Sequence, residues 1–174
     1  NQTIDHICVF TYDNCNPSVL SVFPENRGTV SKNLRTVSAV LKDCQPRFDI
    51  EISDIDVSKS SIRLFQVKEG ESIEVTSRIR FESAPDQRAT KILLEIVDSQ
   101  GAATNLPNDG SADGDYRVEV VAFDRSGNQS EVLSSTFQLD TIDPIVVPGN
   151  LSDDQVLAGG EYFLFGKEIG RAHV

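Results

Sequence analysis

Residues 113–130 constrain the fold more than any other stretch, because an alternating segment is enclosed there by two polar turns. Alternate residues of an extended chain point to opposite faces of a sheet. One face of this segment collects Tyr116, Val118, Val120 and Ala122. Glycines at 114 and 127 can adopt the positive φ that tight turns often need. The stretch therefore predicts a half-buried β-strand between two turns.

Further short segments show the same character, and clusters of Gly, Pro, Asn and Asp separate them. The predicted strands lie at 19–23, 34–41, 61–67, 73–81, 91–97 and 131–139. In the second of these, Val37, Ala39 and Leu41 share one face. No window of twelve residues shows the 3.6-residue period of a helix. The pattern favours an all-β sandwich, although a barrel gives a similar signal.

Three motifs follow one another at the C-terminal side of this region. They are Asp-Gly-Asp-Tyr at 113–116, Asp-Arg-Ser-Gly-Asn at 124–128 and Asp-Thr-Ile-Asp-Pro at 140–144, the last with a second acid at Asp143. In this order they resemble the bacterial immunoglobulin-like (Ig-like) repeats found in tandem in large surface adhesins and in secreted multidomain proteins. The resemblance covers residues 17–144. It implies an Ig-like antiparallel β-sandwich with partial flanking modules, and a buried Tyr116 whose hydroxyl bonds to the backbone, as in a tyrosine corner.

The same comparison predicts how the chain is divided. Residues 17–143 form the sandwich, 1–16 are the end of a preceding module plus a linker, and 144–167 are a linker and the truncated start of a next module. A short strand is expected from Ile4 to Tyr12. The terminal Ile-Gly-Arg-Ala-His-Val resembles a translated sequencing adapter, so 168–174 are expected to be a non-native tail and are excluded from the fold.

Acidic residues outnumber basic ones by 27 to 16, which gives a net charge of −11. Such a surface repels phosphate backbones, so nucleic-acid binding is not expected. No apolar run approaches the roughly 18 residues of a membrane span. No cofactor is predicted, but Ca²⁺, which takes oxygen ligands, remains open.

Candidate Ca²⁺ ligands are Asp124, Asp140 and Asp143. Asp124, Ser126 and Asn128 have alternating oxygens like part of a calcium loop, with a hydrogen-bonded turn as the alternative interpretation. Asp140 and Asp143 flank the predicted module junction. Asp109, Asp113 and Asp115 form another acidic loop, for which a solvated surface is the alternative.

The three cysteines, Cys8, Cys15 and Cys44, do not form a CxxC pair, which argues against a zinc site. In an oxidising compartment Cys15 could pair with Cys44 or with Cys8. Three reduced thiols are the remaining alternative.

No catalytic constellation stands out, and we predict that the chain is not an enzyme. Outside the excluded tail, His6 is the single histidine, so a Ser-His-Asp arrangement lacks a base. The resemblance implies a non-catalytic structural or adhesion repeat of a large extracellular or cell-surface bacterial protein. Its partners would be neighbouring Ig-like modules and a cell-surface protein or glycan. The alternative is a carbohydrate-binding or accessory module of a secreted enzyme, stabilised by Ca²⁺, although the absence of Trp weighs against a sugar platform.

Overall fold

The computed structural model describes residues 12–44, 54–84, 88–143, 145–148 and 166–169. These residues form strands and connecting loops without a helix, so none of them makes a helix able to cross a membrane. The strands are β1 (Ser18–Phe23), β2 (Gly28–Val30), β3 (Thr36–Lys42), β4 (Ser61–Lys68), β5 (Glu71–Glu74), β6 (Ser77–Ser83), β7 (Ala89–Ile96), β8 (Gly114–Val121), β9 (Leu133–Leu139), β10 (Ile145–Pro148) and β11 (Gly166–Ile169).

Strands β1 to β9 form two sheets. One has four strands in the order β1-β3-β7-β6, and the other has five in the order β2-β9-β8-β4-β5. All neighbours are antiparallel except β2 and β9, which run parallel. Two separate sheets rather than one closed sheet make the fold a sandwich with an Ig-like strand order, as predicted. Strands β10 and β11 pair with each other.

The core lies between the sheets and follows the period of two along each strand. On β3, Val37, Ala39 and Leu41 are all buried, while the residues between them are half-buried. The predicted inner face of β8 is likewise buried. Both predictions of the core face are confirmed. The remaining core comes from Leu34, Ile55, Ile62, Leu64, Ile92, Leu94, Ile96, Ala112, Phe137 and Leu139.

Tyr116 forms the predicted tyrosine corner. Its hydroxyl donates a 2.7 Å hydrogen bond to the carbonyl oxygen of Ala112, and its ring stacks on Phe137 with centroids 5.3 Å apart. Burial, reinforced by the negative charge of Asp113, raises the pKa of Tyr116 to about 12. The phenol is therefore a permanent hydrogen-bond donor near neutral pH.

The strand predicted at 73–81 is wrong as a single element, because the chain changes sheets within it. The N–H of Val75 donates a hydrogen bond to the carbonyl oxygen of Leu64 in the five-stranded sheet. The carbonyl oxygen of Thr76, the next residue, accepts one from the N–H of Val97, which directly follows β7 of the four-stranded sheet. The alternating pattern runs through this crossing without a break, so it could not mark the boundary between β5 and β6.

Strand β2 was not predicted, because its surroundings look like a turn. Arg27 has a φ of 61° and donates its N–H to the carbonyl of Thr136 at 2.6 Å. This contact brings the chain from the first sheet onto β9, where β2 pairs over three residues.

The predicted division into modules remains a prediction. Strands β1 to β9 occupy positions 18–139, within the predicted sandwich at 17–143. The strand expected from Ile4 lies outside the described residues except for Tyr12. The first two positions of the expected tail belong to β11, and 170–174 lie outside the described part.

Candidate metal centre

Three carboxylates, those of Asp13, Asp43 and Asp124, meet at one end of the sandwich. One oxygen of each lies within 4.8 Å of those of the other two. Asp43 is 1% and Asp124 0% exposed, whereas Asp13 is half-buried. We call this group the aspartate cluster. Buried carboxylates at this density are unusual, because ionised side chains are rarely buried without a compensating charge or hydrogen bonds.

The strand arrangement explains why these residues meet. Asp43 directly follows β3, and the start of β1 lies beside the end of β3 because Ser18 pairs with Lys42. Asp13 precedes β1 by a few residues and so reaches the same end. Asp124 follows β8 at this end of the other sheet.

A disulfide between Cys15 and Cys44 links two of the contributing segments. Their Cα atoms are 6.1 Å apart, within the usual range for a disulfide. Cys15 is two residues from Asp13, and Cys44 is adjacent to Asp43, so the bond tethers both carboxylates. Structural disulfides persist in oxidising compartments, so the protein belongs to the periplasm or the extracellular space.

The turn after β8 holds Asp124 in place. The two carboxylate oxygens of Asp124 accept hydrogen bonds from the backbone N–H and the side-chain amide of Asn128, both at 2.8 Å. Gly127 supplies a φ of 97° between them. The Asn128 amide also donates to the carbonyl oxygen of Asp13 at 3.2 Å. The hydrogen-bonded turn predicted here is confirmed, and the same aspartate belongs to the cluster.

A fourth buried acid, Asp54, lies beside this turn. It is 1% exposed, and one of its oxygens is 3.8 Å from Nε of Arg125. The N–H of Arg125 donates to the Asp54 carbonyl, and the N–H of Asp56 donates to the Phe123 carbonyl. These contacts fix the segment before β4 against the turn.

The structure separates the other two candidate ligands from Asp124. Asp140 and Asp143 follow β9, whose end pairs with the start of β8 at Gly114. The eight residues of β8 place them roughly 25 Å from the aspartate cluster. There Asp143 pairs with Lys32, and Asp140 accepts a 3.3 Å hydrogen bond from the Ile142 N–H. All three remain candidates, and within the described part of the chain Asp124 is the one whose carboxylate lies close enough to two others to share an ion with them.

Two of the three loop acids, Asp109 and Asp113, accept hydrogen bonds in the structure, and the third, Asp115, is exposed. The carboxylate of Asp109 accepts hydrogen bonds from the backbone N–H and the hydroxyl of Ser111. The carboxylate of Asp113 accepts them from the backbone N–H and the hydroxyl of Thr141. Hydrogen bonds from Ser111 hold the pKa of Asp109 below its usual value.

Sequence reasoning missed Asp13 and Asp43. They are 30 positions apart in the chain, and neither belongs to one of the motifs that predicted a site. The available signal was that Asp43 and Asp124 each follow a strongly alternating strand within a few residues, and that a cysteine lies close to Asp13 and another to Asp43.

No protein-family model matches the chain, and neither does any curated protein. Among solved structures it is similar to PcoC, a methionine-rich copper resistance protein from Escherichia coli. The identity is 16% and the TM-score 0.50, over 72% of this chain and 99% of that chain. At this identity the likeness supports the β-sandwich fold.

The comparison corrects the expected function. The prediction of a structural or adhesion repeat from a tandem array of a surface adhesin was wrong: the fold is shared with a copper resistance protein, and no adhesin-repeat model matches. The carbohydrate-binding alternative was part of that assignment and is withdrawn with it. The expected partners and the absence of enzymatic activity stay predictions.

Proposed function

We propose that this protein is a non-catalytic β-sandwich that binds a divalent cation outside the cytoplasm, and that the cation is Ca²⁺ held by Asp13, Asp43 and Asp124. The observation that carries the proposal is the meeting of three carboxylates, two of them fully buried, within 4.8 Å. Display at the cell surface is a finer proposal, which protease accessibility on intact cells would test.

Electrostatics supports an ion at this position. Two ionised carboxylates about 5 Å apart repel by roughly 3 kcal/mol at an effective dielectric constant near 20. The hydrogen bonds that Asp124 accepts offset part of the repulsion within the cluster, and a bound cation would offset more of it. One oxygen of Asp13, Oδ2, is buried and accepts no hydrogen bond from the described residues. A divalent cation would convert the repulsion into attraction and give this oxygen a partner.

The ligand chemistry favours a hard ion. Carboxylate oxygens suit Ca²⁺, which takes six to eight oxygen ligands, some of them backbone carbonyls and waters. PcoC is described as methionine-rich and as a copper resistance protein. This chain contains no Met, so it lacks the thioether ligands that select Cu(I). Metal binding is therefore proposed here with a different ligand set.

The role of the ion follows from what the cluster joins. Asp13 belongs to the segment that leads into β1, Asp43 to the end of one sheet and Asp124 to the end of the other. A bound cation would hold the segment before β1 against both sheets. It would lie next to the disulfide, which already joins that segment to the end of β3. The proposed function is thus a cation-dependent stiffening of this end of the domain.

Differential scanning calorimetry in EDTA and in millimolar Ca²⁺ tests the proposal. At a Ca²⁺ concentration about 100 times Kd, the gain is about 2.7 kcal/mol, which raises Tm by roughly 5–10 °C. The variant Asp43→Asn should lose the Ca²⁺-induced rise.

Asp143→Asn is the matched control, since it removes an equal charge at the other end of the sandwich, and it should keep the full Ca²⁺ response. An unchanged Tm of the parent protein in Ca²⁺ would refute the proposal. So would an equal response of the two variants. A Tm rise with Cu²⁺ but not Ca²⁺ would direct the assignment to copper.

A further inference from the structure

Strand β6 is the most regular open edge of the sandwich. It pairs with β7 over all seven residues without a register shift, and within the described residues its other edge meets no strand. The other edges are shorter or interrupted: β2 has three residues, β5 has four, and β1 contains a bulge. A long regular edge offers a row of backbone N–H and C=O groups to an added strand.

The side chains of β6 divide into a charged and an apolar face. Arg78 and Arg80 lie opposite Glu95 and Leu93 on the outer face, with side chains 51% and 59% exposed. Ile79 pairs with buried Leu94 on the inner face, yet Ile79 remains 41% exposed because it is on the edge. An added strand would meet alternating positive and apolar side chains.

Three arginines converge on a single carboxylate beside this edge. Glu95 accepts a 2.7 Å hydrogen bond from Nε of Arg78, whereas Arg35 and Arg80 approach it only to 3.6 Å and 4.0 Å. The last two distances exceed a normal hydrogen bond, so their guanidinium donors are not used by Glu95. The group carries an excess of two positive charges on a protein whose net charge is −11.

We propose that β6 binds an extended acidic peptide segment of a partner protein by strand addition. The residues on one face of a strand repeat at about 7 Å, so acidic residues two apart in the partner match Arg78 and Arg80. An apolar residue between them covers Ile79. The inference is independent of the cation site.

The register predicts a sequence pattern. Glu82 follows Arg80 on the same outer face of β6 and lies opposite Lys91. An antiparallel partner read from its N-terminus should therefore run basic, apolar, acidic, apolar, acidic, so that opposite charges face each other across the strands. The paired backbone supplies affinity and the alternating side chains supply specificity.

Fluorescence anisotropy with the whole protein tests this proposal. The probe is a labelled peptide with the core Lys-Val-Glu-Val-Glu between threonines, and its charge-reversed version Glu-Val-Lys-Val-Lys is the comparison. The first should bind and the second should not. Arg80→Glu should weaken binding of the first peptide about tenfold, because it turns the attraction across the strands into repulsion. Arg80→Gln should weaken binding less, because it only removes the attraction.

Arg63→Gln is the control, because Arg63 is about as exposed as Arg78 but pairs with Glu74 on the other sheet. It should leave binding unchanged. A peptide methylated on its ladder-forming nitrogens should fail to bind. Equal binding of both charge patterns, an unaffected Arg80→Glu, or full binding of the methylated peptide would overturn the proposal. Retention by a sulfated polysaccharide without peptide binding would overturn it as well.

Discussion

The hydroxyl of Thr141 donates a 2.7 Å hydrogen bond to Oδ1 of Asp113, and the same hydroxyl accepts one from the N–H of Gly110 at 3.0 Å. The backbone N–H of Thr141 also donates to Asp113. Two motifs that are 28 residues apart in the chain are thus one structural unit at the end of the sandwich opposite the aspartate cluster.

Thr141→Val should destabilise this unit by about 1–3 kcal/mol, because it leaves the Gly110 N–H without its acceptor and removes one of the hydrogen bonds to Oδ1 of Asp113. Thr141→Ser keeps the hydroxyl and should cost less. Urea unfolding followed by circular dichroism measures both. Equal stability of the Val and Ser variants would contradict the assigned role of the hydroxyl.

Tyr116→Phe removes one hydroxyl from a fully buried ring. The variant should lose about 1–3 kcal/mol of unfolding free energy, because the Ala112 carbonyl oxygen loses a buried donor. Tyr12→Phe is the comparison: that ring is 75% exposed, and its change should stay within about 0.5 kcal/mol. Equal losses in the two variants would remove the basis for the tyrosine corner.

The disulfide closes a loop with a sequence separation of 29. Replacing both cysteines by alanine, Cys15→Ala with Cys44→Ala, should cost about 3–4 kcal/mol according to the loop-entropy model. Because the bond also tethers Asp13 to Asp43, we expect the Ca²⁺-induced rise of Tm to shrink in the same variant. Calorimetry of the oxidised, the reduced and the doubly substituted protein separates these effects, and an undiminished Ca²⁺ response would show that the tether is dispensable.

Glu95 should make the free energy of unfolding depend on pH in the acidic range. The hydrogen bond from Arg78 holds the pKa of Glu95 below its ordinary value of 4.5 against the opposing effect of burial, and the charges of Arg78, Arg80 and Arg35 add to this. Because the pKa of Glu95 is lower in the folded protein than in the unfolded chain, ionised Glu95 stabilises the fold at pH values above its unfolded-state pKa. This stabilisation is lost as the pH falls through the folded-state pKa.

Between pH 6 and pH 3, the Tm of the parent protein should therefore fall further than the Tm of Glu95→Gln, because the glutamine cannot ionise. Glu71→Gln, on the short exposed strand β5, should keep the acid sensitivity of the parent. Thermal scans at each pH, all in one salt concentration, provide the test. Parallel curves for the parent and Glu95→Gln would exclude this carboxylate as the source.

Much of the sandwich could be predicted because burial follows a local period of two. The alternation of β3 and β8 gave their core faces, and the order of turn motifs predicted the corner at Tyr116. The crossing at Val75 and Thr76 could not be predicted, because the pattern is the same on both sides of it. The convergence of Asp13 and Asp43 depends on the pairing of β1 with β3, which is a long-range contact that no local pattern contains.

The parallel pairing of β2 with β9 and the disulfide together bear on how the domain would respond to tension. The first strands of the sandwich are divided between the two sheets, and β2 lies alongside the last strand in the same direction. When the disulfide is reduced, a force that pulls the two ends of the sandwich apart acts along this pair in opposite directions. When it is intact, the covalent bond passes the load from Cys15 to Cys44 and so past β2. In the reduced protein we therefore expect the hydrogen bonds between β2 and β9 to be loaded together in shear instead of being opened one after another, whereas in the oxidised protein the disulfide carries the load first.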